Sequence, residues 1–126
     1  MILADFQAAC LALPAAAYVN QWGGAHVYKV GGKIFALASR FDGGPIPAYA
    51  FKASDMAYEL LIEQGLARPA PYLARAHWVQ LASQDALSDA ELRAYLAQAH
   101  GLVAVRLTRA ERARLGLAEP ARPARG

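Results

Sequence analysis

Cations and aromatic rings recur along the chain in segments that favour a β-rich surface. The set comprises Lys33, Lys52, Arg68, Tyr72, Arg75, His77 and Trp78. Lysine and arginine neutralise phosphates and release condensed counterions, which gives salt-dependent affinity without sequence information. Aromatic rings beside such cations suit base stacking, mainly on single strands. These residue types therefore predict a nucleic-acid-binding surface, provided that folding brings them onto one exposed face.

Each ring in this set also has an ordinary structural interpretation. Trp78 precedes Val79 on a segment that favours a strand, where an indole usually belongs to the core. Tyr72 follows Pro71 and could simply brace a proline-fixed loop. His77 could be held by a backbone carbonyl. Both interpretations stay open at the level of the sequence.

Catalysis and metal binding have little support among the remaining reactive residues. Cys10, the single cysteine, lies among apolar residues of an expected first helix, whereas a reactive thiolate needs an electropositive, accessible setting. The histidines His26, His77 and His100 are far apart, so zinc-ligand spacing is missing. No arrangement of a nucleophile with a base stands out. We expect a protein that is not an enzyme and that uses no cofactor or metal.

The composition is that of one ordinary domain with a mild basic excess. The 126 residues are 56% hydrophobic and carry a net charge of +3. A chain of this length can bury a core without disulfides or metal. It has no run of eighteen apolar residues, and we expect a cytoplasmic protein that does not bind membranes.

Charge is unevenly distributed along the chain. Residues 1–54 contain only Asp5 and Asp42 as acids. Residues 106–126 contain six arginines but only two glutamates. Such a basic end is more often a solvated helix face, although it could also meet an acidic partner.

The stretch HVYKVGGKIFAL, residues 26–37, contains two glycines before a lysine and therefore invites comparison with a phosphate loop. A phosphate loop requires Ser or Thr after the lysine, but Ile34 stands there. Two β-prone runs flank Gly31-Gly32, a pattern typical of a hairpin turn with positive φ. A two-residue turn sets Val30 opposite Lys33, Tyr28 opposite Phe35 and His26 opposite Leu37.

Periodicity and capping signals predict the order α-β-β-β-α-β-α, with a further helix possible at the end, in an α+β fold with an antiparallel sheet and helices packed on one face. Helices are expected over residues 2–13, over 55–64 after the N-cap Ser54, and from 89 to about 117 after a capping box of Ser88 and Glu91, with Gly101 as a possible break or kink. Strands are expected in the hairpin and over 46–53 and 77–83, residues 17–22 could form a further short strand, and 65–76 is expected to be a loop. We expect one domain, 1–117, followed by a disordered tail, 118–126.

Several landmarks in this order resemble the MmcQ/YjbR family. They are WGGAHVYKVGGKIFAL, FKASDMAYELL and RPAPYLARAHWVQL, followed by a helical end with LVAVRL. The most specific parts are Trp22-Gly23, the turn around Gly31-Gly32, Lys52, Pro71-Tyr72-Leu73 and His77-Trp78. The resemblance implies a CyaY-like, double-wing fold with DNA as a partner.

The chain departs from the family pattern at two places. Ala74-Arg75-Ala76 stand where the family often has Asn-Lys, which loses an amide but keeps a cation. Ala99-His100 stand where the family often has Ser-Tyr. The resemblance favours a non-catalytic DNA-binding protein, and the alternative is a module that binds an acidic protein or a small ligand.

Overall fold

The computed structural model describes residues 1–21, 24–40, 43–71 and 76–117. In chain order the elements are α1 (Leu3–Leu11), β1 (Ala16–Gln21), β2 (Ala25–Val30), β3 (Lys33–Ser39), β4 (Ala48–Lys52), α2 (Asp55–Glu63), β5 (Ala67–Pro69), β6 (Trp78–Leu81), α3 (Asp89–Ala104) and α4 (Arg109–Arg114). The strands form an antiparallel sheet in the order β1-β2-β3-β4-β6-β5. The predicted α+β class is thereby confirmed. The predicted tail, 118–126, lies outside the described residues.

Two helices begin at the caps that the sequence predicts. The Ser54 side chain accepts a hydrogen bond from the Ala57 backbone N–H at 3.1 Å and starts α2. Ser88 and Glu91 form a reciprocal capping box at the start of α3. These bonds satisfy backbone donors that the first helical turn would otherwise leave unpaired.

The β2–β3 hairpin turns at Gly31-Gly32 as predicted, and Val30 pairs with Lys33. The register predicted beyond that pair is wrong. A bulge shifts the pairing between Tyr28 and Lys29, so that Tyr28 pairs with Ala36. His26 consequently pairs with Ala38 rather than with Leu37. In a β-bulge, two residues of one strand oppose one residue of the other, which accounts for this shift of the register by one residue.

The main core lies between the sheet and the helices. Phe6 of α1, Leu61 of α2 and Leu96 of α3 are buried in the same cluster as residues of the sheet. The Phe6 ring stacks on Tyr49 with 4.1 Å between ring centroids, and the Tyr49 hydroxyl donates to the Met1 carbonyl at 2.7 Å. The second cluster contains Val27, Leu37, Ala50 and Trp78, which belong to the face of the sheet opposite the helices.

Two parts of the chain fold differently from the expectation. The segment predicted as a loop contains the short edge strand β5, which pairs with β6. Two hydrogen bonds extend this pairing at its ends: the Ala70 N–H donates to the Trp78 carbonyl, and the Ala82 N–H donates to the Leu66 carbonyl. Two helices form the C-terminal end, but the break does not lie at Gly101, because α3 continues through that residue and ends at Ala104. A second capping box, formed by Thr108 and Glu111, then starts α4. In the parts of the chain described above, no helix has the length and apolar character needed to cross a membrane.

Candidate anion-binding site

Three cationic side chains converge on one pocket at the Gly31-Gly32 end of the β2–β3 hairpin. The pocket has a volume of about 210 Å³ and is lined by Lys33, Ile34, Lys52, Ala76, Trp78, Val103 and Arg106. Lys33 and Arg106 are exposed and Lys52 is half-buried. We call Lys33, Lys52 and Arg106 the cation cluster.

The register of the sheet places Lys52 beside Trp78, which also lines the pocket. Lys52 ends β4 and pairs with Trp78, the first residue of β6, so both side chains point to the face opposite the helices. Trp78 is 5% exposed and packs in the second apolar cluster, which is the core interpretation of this residue. Trp78 lines the pocket, but its ring is too covered to offer a face for stacking on a base.

A close contact between Gly31 and Leu107 holds the other two cations near each other. Gly31 has φ +59°, and a Cβ atom at this position would lie 2.7 Å from both Leu107 methyl groups. Leu107 is 3% exposed, so its side chain is packed tightly over the hairpin turn. Because Lys33 begins the strand after that turn and Arg106 precedes Leu107, the same contact sets both cations at the pocket.

The electrostatic setting of the cation cluster is unbalanced. The Lys52 ammonium donates to the Ala76 carbonyl at 2.6 Å. Burial lowers the pKa of Lys52, and repulsion by Arg106 lowers it further, against an opposing effect of Asp55. Within the described ranges, no member of the cation cluster forms an ion pair with a carboxylate. An acidic influence on Lys33 comes from Glu111, whose pKa is lowered by hydrogen bonds from Thr108 and, to a lesser extent, by the charges of Arg114 and Lys33. An anion entering the pocket would relieve the repulsion within the cation cluster.

His77 supports the site from outside the pocket. Its Nδ1 atom lies 2.5 Å from Asp55 Oδ1, and its ring stacks on Tyr58 with centroids 4.8 Å apart. The residue has φ +58°, a conformation that costs a non-glycine residue about 1–3 kcal/mol and persists only where its surroundings enforce it. These contacts anchor the turn that presents the Ala76 carbonyl to Lys52.

Arg68 does not join the cation cluster. It pairs with Gln80 between β5 and β6 and lines a different pocket of about 370 Å³, which also includes Pro47. Tyr72 and Arg75, like the landmark Trp22-Gly23, lie outside the described residues. Of the predicted site residues, the structure thus brings Lys33, Lys52 and Trp78 together.

The sequence interpretation missed Arg106. The sequence predicts it on a solvated helix face, but α3 ends before it, and Arg106 lines the pocket from the turn that follows. The signal that could have placed the end of α3 is Thr108 with Glu111 three residues later. This is the same capping-box pattern that correctly predicts the start of α3.

Two of the reactive side chains, a thiol and an imidazole, are buried. Cys10 is fully buried, and burial raises the pKa of its thiol well above the usual range. His100 is buried, with its Nε2 atom 2.7 Å from the Pro14 carbonyl oxygen. Among the residues with a described placement, no group of three or more His, Cys, Asp or Glu side chains could hold a metal ion.

Comparisons with known proteins agree with the sheet and helices described above. The chain is similar in structure to Deinococcus radiodurans protein DR2400, which carries the family domain DUF419. The TM-score is 0.79 at 23% sequence identity, and the alignment covers 95% of this chain and 91% of that chain. No curated protein sequence matches this chain. The family model described as YjbR matches residues 11–102, which is most of the sequence, and the chain therefore belongs to the YjbR family.

Proposed function

We propose that this protein is a non-catalytic DNA-binding protein that contacts backbone phosphates through Lys33, Lys52 and Arg106. The observation that carries the proposal is the convergence of these cations on one pocket without an ion-pair partner in the described part of the chain. Phosphate oxygens are the natural counterpart of such a cluster, because each contact neutralises a charge and releases counterions.

The position of Trp78 shapes the kind of binding that we expect. Because its ring is almost fully covered, it cannot supply the stacking platform that proteins use for unpaired bases. Backbone contacts of this kind carry no direct sequence information. The cation cluster therefore favours DNA binding with little sequence preference and no large preference for single strands over duplexes.

A small anionic ligand is the second candidate for the same pocket. The volume of about 210 Å³ is below the range typical of pockets for drug-sized ligands and suits one phosphate or carboxylate group. The Lys52–Ala76 hydrogen bond also fixes one cation in place, which suits a small, positioned ligand. An acidic side chain of a partner protein would meet the same charges.

Fluorescence anisotropy with a labelled random duplex and a random single strand of equal length separates these candidates. We expect the wild-type protein to bind both at about 50 mM salt and to release them well below 500 mM salt. Arg106→Ala should weaken binding several-fold. Arg93→Ala is the matched control, because it removes the same charge from the opposite end of α3.

Two outcomes count against the proposal. If no binding to either nucleic acid is detected at low salt, the small-ligand candidate replaces it, and pyrophosphate is then the first probe for calorimetry. If Arg106→Ala and Arg93→Ala weaken binding equally, the interaction depends on overall charge rather than on the cation cluster.

A further inference from the structure

The two edges of the sheet differ in their capacity to accept another strand. The β5 edge has three residues and ends in Pro69, which has no N–H to donate. The β1 edge has six residues, AAYVNQ, without proline or charge, and its pairing with β2 has no bulge. Charge, proline and bulges are the usual devices that keep an edge from pairing with another chain. Strand β1 has none of them.

Strand β1 is also exposed to solvent over most of its length. Its four central residues, 17–20, are exposed, and Tyr18 and Val19 are 38% and 37% exposed on opposite faces of the sheet. Among the described strands, only β2 pairs with β1, and apart from the Ala16 N–H, which donates to the Leu13 carbonyl at 3.2 Å, its outer backbone groups face no other described strand. Tyr18 and Val19, at the centre of the strand, have high β propensity, which favours strand addition at such an edge.

We propose that β1 pairs antiparallel with β1 of a second copy of this chain, forming a twofold-symmetric dimer with a continuous sheet. Opposite residues in an antiparallel pair share a face of the sheet. An axis at the middle of the six-residue strand must therefore pass at Tyr18 or at Val19, because a centre between them would oppose side chains from different faces. A copy of the same strand suits this edge because AAYVNQ brings no like charges together.

The contact between the strands is short, which sets the expected affinity. A single six-residue pairing lies at the small end of protein interfaces, so we expect a dissociation constant on the order of 100 µM.

The dimer would also set the distance between two cation clusters, a consequence that rests on the proposed function. With strands about 4.8 Å apart and the pockets offset along the strands, two cation clusters would lie roughly 30–40 Å apart, close to one turn of B-DNA.

Sedimentation equilibrium without nucleic acid tests the dimer independently of DNA binding. The apparent mass should rise from 13.5 kDa toward twice that value as concentration increases from about 10 µM to about 1 mM. Val19→Lys places two like charges near the axis and should weaken association at least ~10-fold. The matched control is Ile46→Lys, which adds the same charge at a residue that is 64% exposed and away from β1. A mass of one chain at ~1 mM, or equal effects of the two lysines, would overturn the proposal.

Disulfide trapping gives a second readout of the same contact. Cys10 is buried, so a cysteine introduced at an exposed position is the accessible thiol. The residue on the twofold axis, Tyr18 or Val19, should form an intermolecular disulfide when it is replaced by cysteine. The other variant should not, since only the two copies of the axial residue are within bridging distance of each other. Glu59→Cys, on the exposed side of α2, gives the rate of random collisions. Cross-linking of both β1 variants at the rate of Glu59→Cys would refute the pairing.

Discussion

Replacing Gly31 by alanine tests the contact that assembles the cation cluster. The new methyl group would lie 2.7 Å from both Leu107 methyl groups, far inside ordinary contact distance. Leu107 is 3% exposed and is packed in the main core, so it has little room to move away. The substitution also places a non-glycine residue at φ +59°.

Two separate effects contribute to the expected loss of stability. The left-handed conformation costs an alanine about 1–2 kcal/mol relative to its preferred regions. Overpacking against the buried Leu107 side chain adds about 1–3 kcal/mol. Gly31→Ala should therefore lower the free energy of unfolding by about 2–5 kcal/mol.

Gly32→Ala is the matched control. Gly32 has φ +79°, but a Cβ atom there would meet nothing within 4 Å. Only the conformational effect applies, so the expected loss is about 1–2 kcal/mol. Urea unfolding monitored by circular dichroism measures both losses, provided that neither substitution changes the m-value.

A double-mutant cycle with Leu107→Ala isolates the steric effect. In the Leu107→Ala background, Gly31→Ala should cost about as much as Gly32→Ala, which corresponds to a coupling of about 1–3 kcal/mol. Equal losses for the two glycine variants in the wild-type background, with no coupling to Leu107, would show that the hairpin turn does not pack on Leu107 as described.

Three further predictions concern single groups. Arg106→Ala should raise the pKa of Lys52 in a ¹³C NMR titration of the lysine side chains, because it removes a repelling charge; an unchanged pKa would place the two cations too far apart to interact. Cys10 should react with a thiol reagent at least ~100-fold more slowly in the native protein than in the unfolded chain, because it is buried and its pKa is raised; equal rates would contradict that burial. Ser88→Ala should lower the free energy of unfolding by about 1 kcal/mol, since it removes the cap of α3, whereas no measurable loss would argue against the capping box with Glu91.

The sequence predicts those features of the fold that local signals control. The caps at Ser54 and Ser88 and the turn at Gly31-Gly32 each depend on a few neighbouring residues, and the structure confirms them. The bulge between Tyr28 and Lys29 could not be predicted in this way. It depends on how the whole hairpin packs on the helices, which alternation of residue types does not encode.

The candidate site is predicted only in part, for a similar reason. Lys52 and Trp78 are 26 positions apart, and the pairing of β4 with β6 alone makes them neighbours. Arg106 enters the site because a buried leucine after α3 packs on a glycine 76 positions earlier in the chain. Arg68, although close to Trp78 in sequence, is carried by the edge strand β5 into a different pocket.

The salt dependence of duplex binding tests the cation cluster most directly. The slope of log Kobs against log[NaCl] should fall by about 2 in magnitude for the double variant Lys33→Ala/Arg106→Ala, because each lost phosphate contact contributes about 0.9. The control Arg40→Ala/Arg93→Ala removes the same charge from the far end of β3 and from α3, outside the pocket, and should leave the slope nearly unchanged. A slope that is the same for both double variants would contradict a phosphate site formed by Lys33, Lys52 and Arg106.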